Sequence, residues 1–183
     1  METISFNVAP YKINGHLVLP LPQDASSKLP SRSQVMVKGT VDGYEFQTAL
    51  EPDGNGSHWL DVNKDMQAAG VSAGKSASLE IEATKDWPEP EIPQDWQAAL
   101  DADPKVYAFW NKTTPLARWE WLRWIDSTKE PSTRQRRIEV SCSKLLHGEK
   151  RPCCFNRSMN CVPDVSKSGV LLRADGTLVS TGL

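Results

Sequence analysis

Thr114-Pro115-Leu116-Ala117-Arg118-Trp119-Glu120-Trp121-Leu122-Arg123-Trp124-Ile125 opens a stretch that runs through Ser132-Thr133-Arg134-Gln135-Arg136-Arg137-Ile138 to Gly148. It reads as two helices joined by a short basic turn that holds Lys129. In the first, Pro115 to about Ser127, successive side chains turn by about 100°. Trp124, Ala117, Trp121, Ile125 and Leu122 then fill a broad arc, with Trp119 and Leu116 outside it. A helix apolar over most of its girth is buried on two sides. The alternative is an exposed aromatic platform for a ligand. The second helix, Ser132 to His147, begins with capping-box form, Ser132 as cap and Gln135 three residues on. Ile138, Cys142, Leu145 and Leu146 make one stripe; Arg136, Arg137 and Lys144 lie opposite. Arg134, Arg136 and Arg137 sit in the first two turns, where the helix dipole disfavours cations. Carboxylates of an acidic N-terminal barrel or a bound anion should compensate. The candidate binding set is therefore Trp121, Trp124, Lys129, Arg134, Arg136 and Arg137.

Upstream, the pattern changes to period two, the mark of half-buried strands. Ile4, Phe6 and Val8 share a face, as do Leu17, Leu19 and Leu21. Asp24 to Ser33 is polar and reads as a loop. Val35, Val37, Gly39 and Val41 alternate up to Asp42-Gly43, a tight-hairpin dipeptide, and Tyr44, Phe46, Thr48 and Leu50 return. His58, Leu60 and Val62 follow the turn Pro52-Asp53-Gly54-Asn55-Gly56. Asn63 can cap a short helix, Gly70 can end it, and Val71 can pack back on Met66. Ala77, Leu79, Ile81 and Ala83 form the last strand. Six short strands with one apolar face each predict a closed or nearly closed small barrel.

Pro88, Pro90 and Pro93 stiffen a break. Pro93 opens a helix to Leu100, and Asp103-Pro104 starts another to Trp110. The expected organisation is α+β: a six-stranded split β-barrel over residues 1–85, a Pro-rich linker over 86–93, a helical unit over 94–148, and a Cys-containing tail over 149–183. In the tail, Gly169 to Arg173, Asp175-Gly176 and Thr177 to Ser180 form a plausible hairpin.

The charge sign is segregated along the chain. Residues 1–104 hold 16 Asp+Glu and 7 Lys+Arg, a net of −9, and residues 105–183 hold 7 and 14, a net of +7. Either two oppositely charged units dock on each other, or the basic half meets an anionic partner. No apolar run approaches the roughly 20 residues of a membrane-spanning helix. The N-terminus lacks the basic and apolar segments of a secretory signal, so a cytoplasmic protein with free thiols is expected.

No catalytic motif appears. Cys142, His147, Cys153, Cys154 and Cys161 cluster in sequence, but adjacent Cys153-Cys154 departs from zinc-ligand spacing, so no metal is expected. Lys150 and Arg151 could lower a nearby thiol pKa, yet no spacing identifies a triad with His147. Asp53-Gly54-Asn55-Gly56 is an incomplete calcium loop explained by its own turn chemistry. Arg134, Arg136, Arg137, Lys144, Lys150, Arg151 and Arg157 could follow a phosphate backbone with a Trp for stacking, which makes nucleic-acid binding the alternative function.

The run Thr133-Arg134-Gln135-Arg136-Arg137-Ile138, with Ala99-Leu100, Asp103-Pro104, Trp124-Ile125, Lys129 and Gly148, resembles the bacteriocin-protection family, also called YdeI/OmpD-associated. Val37-Lys38-Gly39-Thr40, Asp53-Gly54 with Gly56 and His58, Val62-Asn63-Lys64 and Ala68-Ala69-Gly70 resemble the domain of unknown function that often precedes it. Pro131 departs from the family pattern by interrupting the approach to the arginine helix. The resemblance implies a bacterial split barrel followed by helices. It also implies a role in antimicrobial resistance or stress response, with no established reaction. The expected function is non-catalytic binding, with no cofactor. The partner would be a cationic peptide or a protein, attracted by the acidic barrel. Oligomeric state is unspecified.

Overall fold

The computed structural model describes residues 2–153 and 156–178. The chain divides into two compact units, Met1–Asp86 with Asn156–Asn160 and Asp164–Leu183, and Trp87–Phe155 with Cys161–Pro163.

The first unit contains β1 (Ile4–Val8), β2 (Tyr11–Ile13), β3 (His16–Pro20), α1 (Gln23–Ser27), β4 (Val35–Val41), β5 (Tyr44–Pro52), β6 (His58–Asp61), α2 (Lys64–Ala68) and β7 (Ala77–Ala83). The strands form one antiparallel sheet of seven, ordered β1-β7-β4-β5-β6-β3-β2. Three expectations need correction. The strand count is seven, not six, because β2 has only three residues, too few for alternation to register. Its signal is the Asn14-Gly15 turn, with φ of 46° and 86°, which pairs β2 with β3. Secondly, β1 and β2 stand at opposite ends of the strand order. The sheet is thus a curled half-barrel rather than a closed one. The polar segment after Asp24, expected as a loop, begins instead inside α1.

Alternation fills the interior as expected: Leu17, Leu19, Val37, Val41, Leu50, Leu60, Leu79 and Ile81 pack in one core with Met66 and Val71. The α2 helix has the expected ends. Asn63 accepts from the Met66 N–H, and the Val71 N–H returns to the Met66 carbonyl at 3.1 Å.

The late chain adds β8 (Ser166–Lys167) and β9 (Val170–Leu171) to this unit. Ile13, Val18 and Trp59 are buried although alternation puts them on the sheet's other face, opposite Leu17, Leu19 and Leu60. The late segment lies on that face. The Tyr11 hydroxyl donates to the Leu172 carbonyl at 2.8 Å, Asn14 donates to the Asp164 carbonyl, and the Leu171 N–H donates to the Asp53 carbonyl at 2.8 Å. Val165 and Leu171 are buried with it. The terminal hairpin is present as far as the Leu172–Leu178 bridge; Val179 and Ser180 lie outside the described residues.

The second unit holds α3 (Gln94–Ala102), α4 (Pro104–Asn111), α5 (Pro115–Asp126) and α6 (Pro131–Leu146). Asp103 and Thr114 cap α4 and α5 through their side chains, each followed by Pro at the first turn. Trp96, Leu100, Val106, Trp110, Trp121, Leu122, Ile125, Ile138 and Leu145 form its core. The capping box expected at Ser132 is not formed. The helix starts one residue earlier at Pro131, with Glu130 as cap and no side-chain cap bond. Proline suits the first helical position because the N–H it lacks would have had no intrahelical partner. Pro131 therefore opens the helix rather than interrupting it.

Candidate functional site

The six residues read from the sequence as a binding set are all in the helical unit. Trp121 is fully buried, its indole N–H reaching the Lys150 carbonyl at 3.2 Å. Trp124 is half-buried and meets Trp121 edge-on at 6.2 Å. These two indoles belong to the packing of the helices. Trp119, outside the apolar arc, packs edge-on against Trp87 and donates to the Pro88 carbonyl at 2.8 Å.

The arginines separate. Arg134 reaches both oxygens of Asp95 on α3, at 2.5 and 3.0 Å, and Asp126 on α5 at 2.5 Å. The hydrogen bond from Arg134 holds the Asp95 carboxyl below the usual range, and Asp95 in turn raises the guanidinium pKa. Arg137 donates to the Trp124 carbonyl at 2.8 Å and to the Ser127 hydroxyl at 2.6 Å. It thereby places a cation at the C-terminal end of α5, where the helix dipole favours one, and its guanidinium also stands 5.7 Å from the Trp124 ring. Partial burial lowers its pKa, and the neighbouring Cys161 thiol opposes that shift. Arg136 and Lys129 are exposed. The compensation expected for the cations in the first turns of α6 is thus present for Arg134 and Arg137. It comes from carboxylates and a carbonyl of the helical unit itself.

Other basic candidates are paired as well. Lys144 meets Glu149 at 3.1 Å, and Arg151 meets Glu120 at 3.3 Å. Cys142, Cys153 and Cys161 are free thiols. Burial raises the Cys142 pKa, and Cys153 accepts from Lys144 at 2.7 Å. Cys154 lies outside the described residues. Among the described residues no group of three or more His, Cys, Asp or Glu converges as metal ligands. Nor is any helix among them long and apolar enough to cross a membrane.

The folded units carry far less net charge than the two sequence halves. The β unit has 13 Asp+Glu and 10 Lys+Arg, net −3, and the helical unit 10 and 11, net +1. Glu89, Glu91, Asp95, Asp101 and Asp103 belong with the helices, and Arg157, Lys167 and Arg173 with the sheet. What charge asymmetry remains is local.

Four charged side chains, Lys38, Glu45, Glu80 and Glu82, meet at a cavity of about 590 Å³ over β4, β5 and β7, which Thr3, Thr40, Phe46, Gln47 and Ile81 also line, with the backbone of Gly39 as floor. Cross-strand register sets these side chains in two rows. One is Glu82–Lys38–Gln47, the other Glu80–Thr40–Glu45. In the first row the cation is shared, since Lys38 stands 3.9 Å from Glu82. In the second, Glu45 and Glu80 are exposed and have no ion-pair or hydrogen-bond partner among the described residues. Gly39 lets β4 and β7 approach closely here: a Cβ on it would stand 2.0 Å from the Glu80 carbonyl oxygen. Sequence reasoning missed this site. The available signal was a glycine inside a strand pattern, which marks close backbone approach, flanked by outward-facing glutamates.

Residues 89–148 match the family model described as Bacteriocin-protection, YdeI or OmpD-Associated, and residues 8–81 match that of a Domain of unknown function (DUF1905). No curated protein matches the chain.

Proposed function

Since the helical unit belongs to the YdeI/OmpD-associated bacteriocin-protection family and the sheet unit to a domain family of unknown function, we propose that this is a non-catalytic binding protein that takes up cationic antimicrobial peptide on the sheet unit. The observation that carries this reading is the depression on the outward side of β4, β5 and β7, where Glu45 and Glu80 have no ion-pair or hydrogen-bond partner among the described residues. The arginines of α6 support the same division of labour, because Arg134 and Arg137 already bind groups within their own unit. Calorimetric titration of the full chain with a cationic antimicrobial peptide, at low and at physiological ionic strength, tests it. Binding that weakens with salt is expected; absence of salt-sensitive binding at micromolar protein refutes it.

A further inference from the structure

We propose that hydrogen peroxide joins Lys144 to Cys153 through a sulfur–nitrogen bond, a modification that ties the chain following α6 to the last turn of that helix. Three groups of different chemistry meet there. The Lys144 ammonium stands 2.7 Å from the Cys153 sulfur and 3.1 and 3.3 Å from the two oxygens of Glu149. Contacts along the segment fix that placement. The Glu149 N–H returns to the Lys144 carbonyl at 3.0 Å, the Lys150 carbonyl accepts from the Trp121 indole, and Arg151 meets Glu120. Of the described thiols Cys153 is exposed, whereas Cys142 and Cys161 are half-buried, so an oxidant in solution reaches Cys153 most readily. An ammonium beside a thiol favours the thiolate, the form that attacks peroxide. The thiolate takes one peroxide oxygen, the O–O bond breaks, and a sulfenic acid (S–OH) and hydroxide result. The Cys153 hydrogen bond raises the Lys144 pKa, and Glu149 adds to it. Oxidation of the sulfur removes the first of these, and the hydroxide takes the ammonium proton and leaves as water. Glu149 still accepts from the neutral amine and holds it in place. Its nitrogen then attacks the sulfur, and the S–O bond breaks as a second water leaves, the condensation open to a sulfenic acid beside a nitrogen. Ion pair and peroxide thus give the S–N bond and two waters, sulfur losing the two electrons that peroxide gains. At 2.7 Å the reacting atoms already lie within the roughly 3–3.5 Å of a near-attack arrangement.

The test treats the full chain with hydrogen peroxide and maps the product by trypsin digestion and mass spectrometry. The expected product is a pair of peptides linked between Lys144 and Cys153, lighter by two hydrogens than the separate peptides, uncut after Lys144, and parted again by dithiothreitol. Lys144→Arg keeps a cation beside the sulfur, so it should still give a sulfenic acid, trapped with dimedone, but no link. The Cys142→Ser/Cys154→Ser/Cys161→Ser variant keeps Cys153 as its one thiol and should link as the wild type does; circular dichroism checks that both variants fold. Lys144→Met should slow alkylation of Cys153 by iodoacetamide roughly threefold. Because the link closes a loop between residues nine apart, the urea midpoint of the linked protein should rise by about 1 M. Treated wild type that trypsin still cuts after Lys144, with Cys153 recovered as a sulfenic or sulfinic acid or in a disulfide, overturns the proposal.

Discussion

Arg136 and Arg137 are consecutive, carry the same charge and differ in what they touch, which makes them a matched pair for asking whether the α6 cations are structural. Arg137 donates to the last turn of α5 through the Trp124 carbonyl and the Ser127 hydroxyl, and lies beside the Trp124 ring. Hydrogen bonds from a charged donor contribute about 1.5–3 kcal/mol, a cation–π contact about 0.5–1 and a cation at a helix C-terminus about 0.3–1. These overlap in one side chain and are partly screened, so Arg137→Ala should cost about 2 kcal/mol rather than their sum. Arg136 is exposed, and Arg136→Ala should fall within about 0.5 kcal/mol of wild type. Urea unfolding followed by tryptophan fluorescence reads the right unit, because six of the seven tryptophans lie in Trp87–Phe155. With a denaturant slope of about 2 kcal/mol per molar, the Arg137→Ala midpoint should drop by about 1 M. Equal midpoints for the two variants would refute the assignment, since net charge alone would then account for the effect.

The remaining predictions concern the sheet unit. Gly39→Ala places a methyl 2.0 Å from the Glu80 carbonyl oxygen; two paired backbones must separate, and a loss of about 1–3 kcal/mol is expected in urea unfolding. Leu171→Ala should cost about 2–4 kcal/mol and make Trp59 fluorescence more accessible to iodide quenching, because the late segment covers that face. Burial, aided by Asp53, pushes the Tyr11 phenol up to about 12. An unfolded tyrosine ionises near 10, so this group's stabilisation is complete below about pH 10 and is lost as pH rises toward 12; Tyr11→Phe should remove that alkaline slope. Burial lowers the His58 pKa, and its ring sits between the Ser26 hydroxyl at 2.7 Å and the Ser33 carbonyl at 2.9 Å. The unfolded state binds the proton first, so stability should fall as pH drops below about 6.5, and His58→Gln should flatten that slope.

Legibility followed the length of each periodic signal. The alternation of β4, β5 and β7 and the arc of α5 span enough residues for the core to be read directly, and Trp121, Leu79 and Ile81 are buried as that pattern implies. β2 and α1 are too short to carry a period, and only the Asn14-Gly15 turn announces the first. The capping box failed because local spacing suggested Ser132 while Pro131 already satisfied helix geometry one residue earlier. The partners of Arg134 were invisible for a different reason. Asp95 lies 39 residues away in sequence, and no local pattern links the two. The same holds for the groove, whose rows exist only once three strands are in register.

Sequence halves of −9 and +7 suggest long-range attraction, but folded units of −3 and +1 do not sustain it. Beyond a Debye length of about 10 Å at 0.1 M salt, such small net charges steer little. On the cationic-peptide reading proposed above, recognition would then come from the carboxylates of Glu45 and Glu80. This predicts a shallow dependence of affinity on salt, matching about two charges, that becomes shallower still in the Glu45→Gln/Glu80→Gln variant. A steep dependence that the double variant leaves unchanged would mean that distributed charge governs binding. The groove would then have no special part in it.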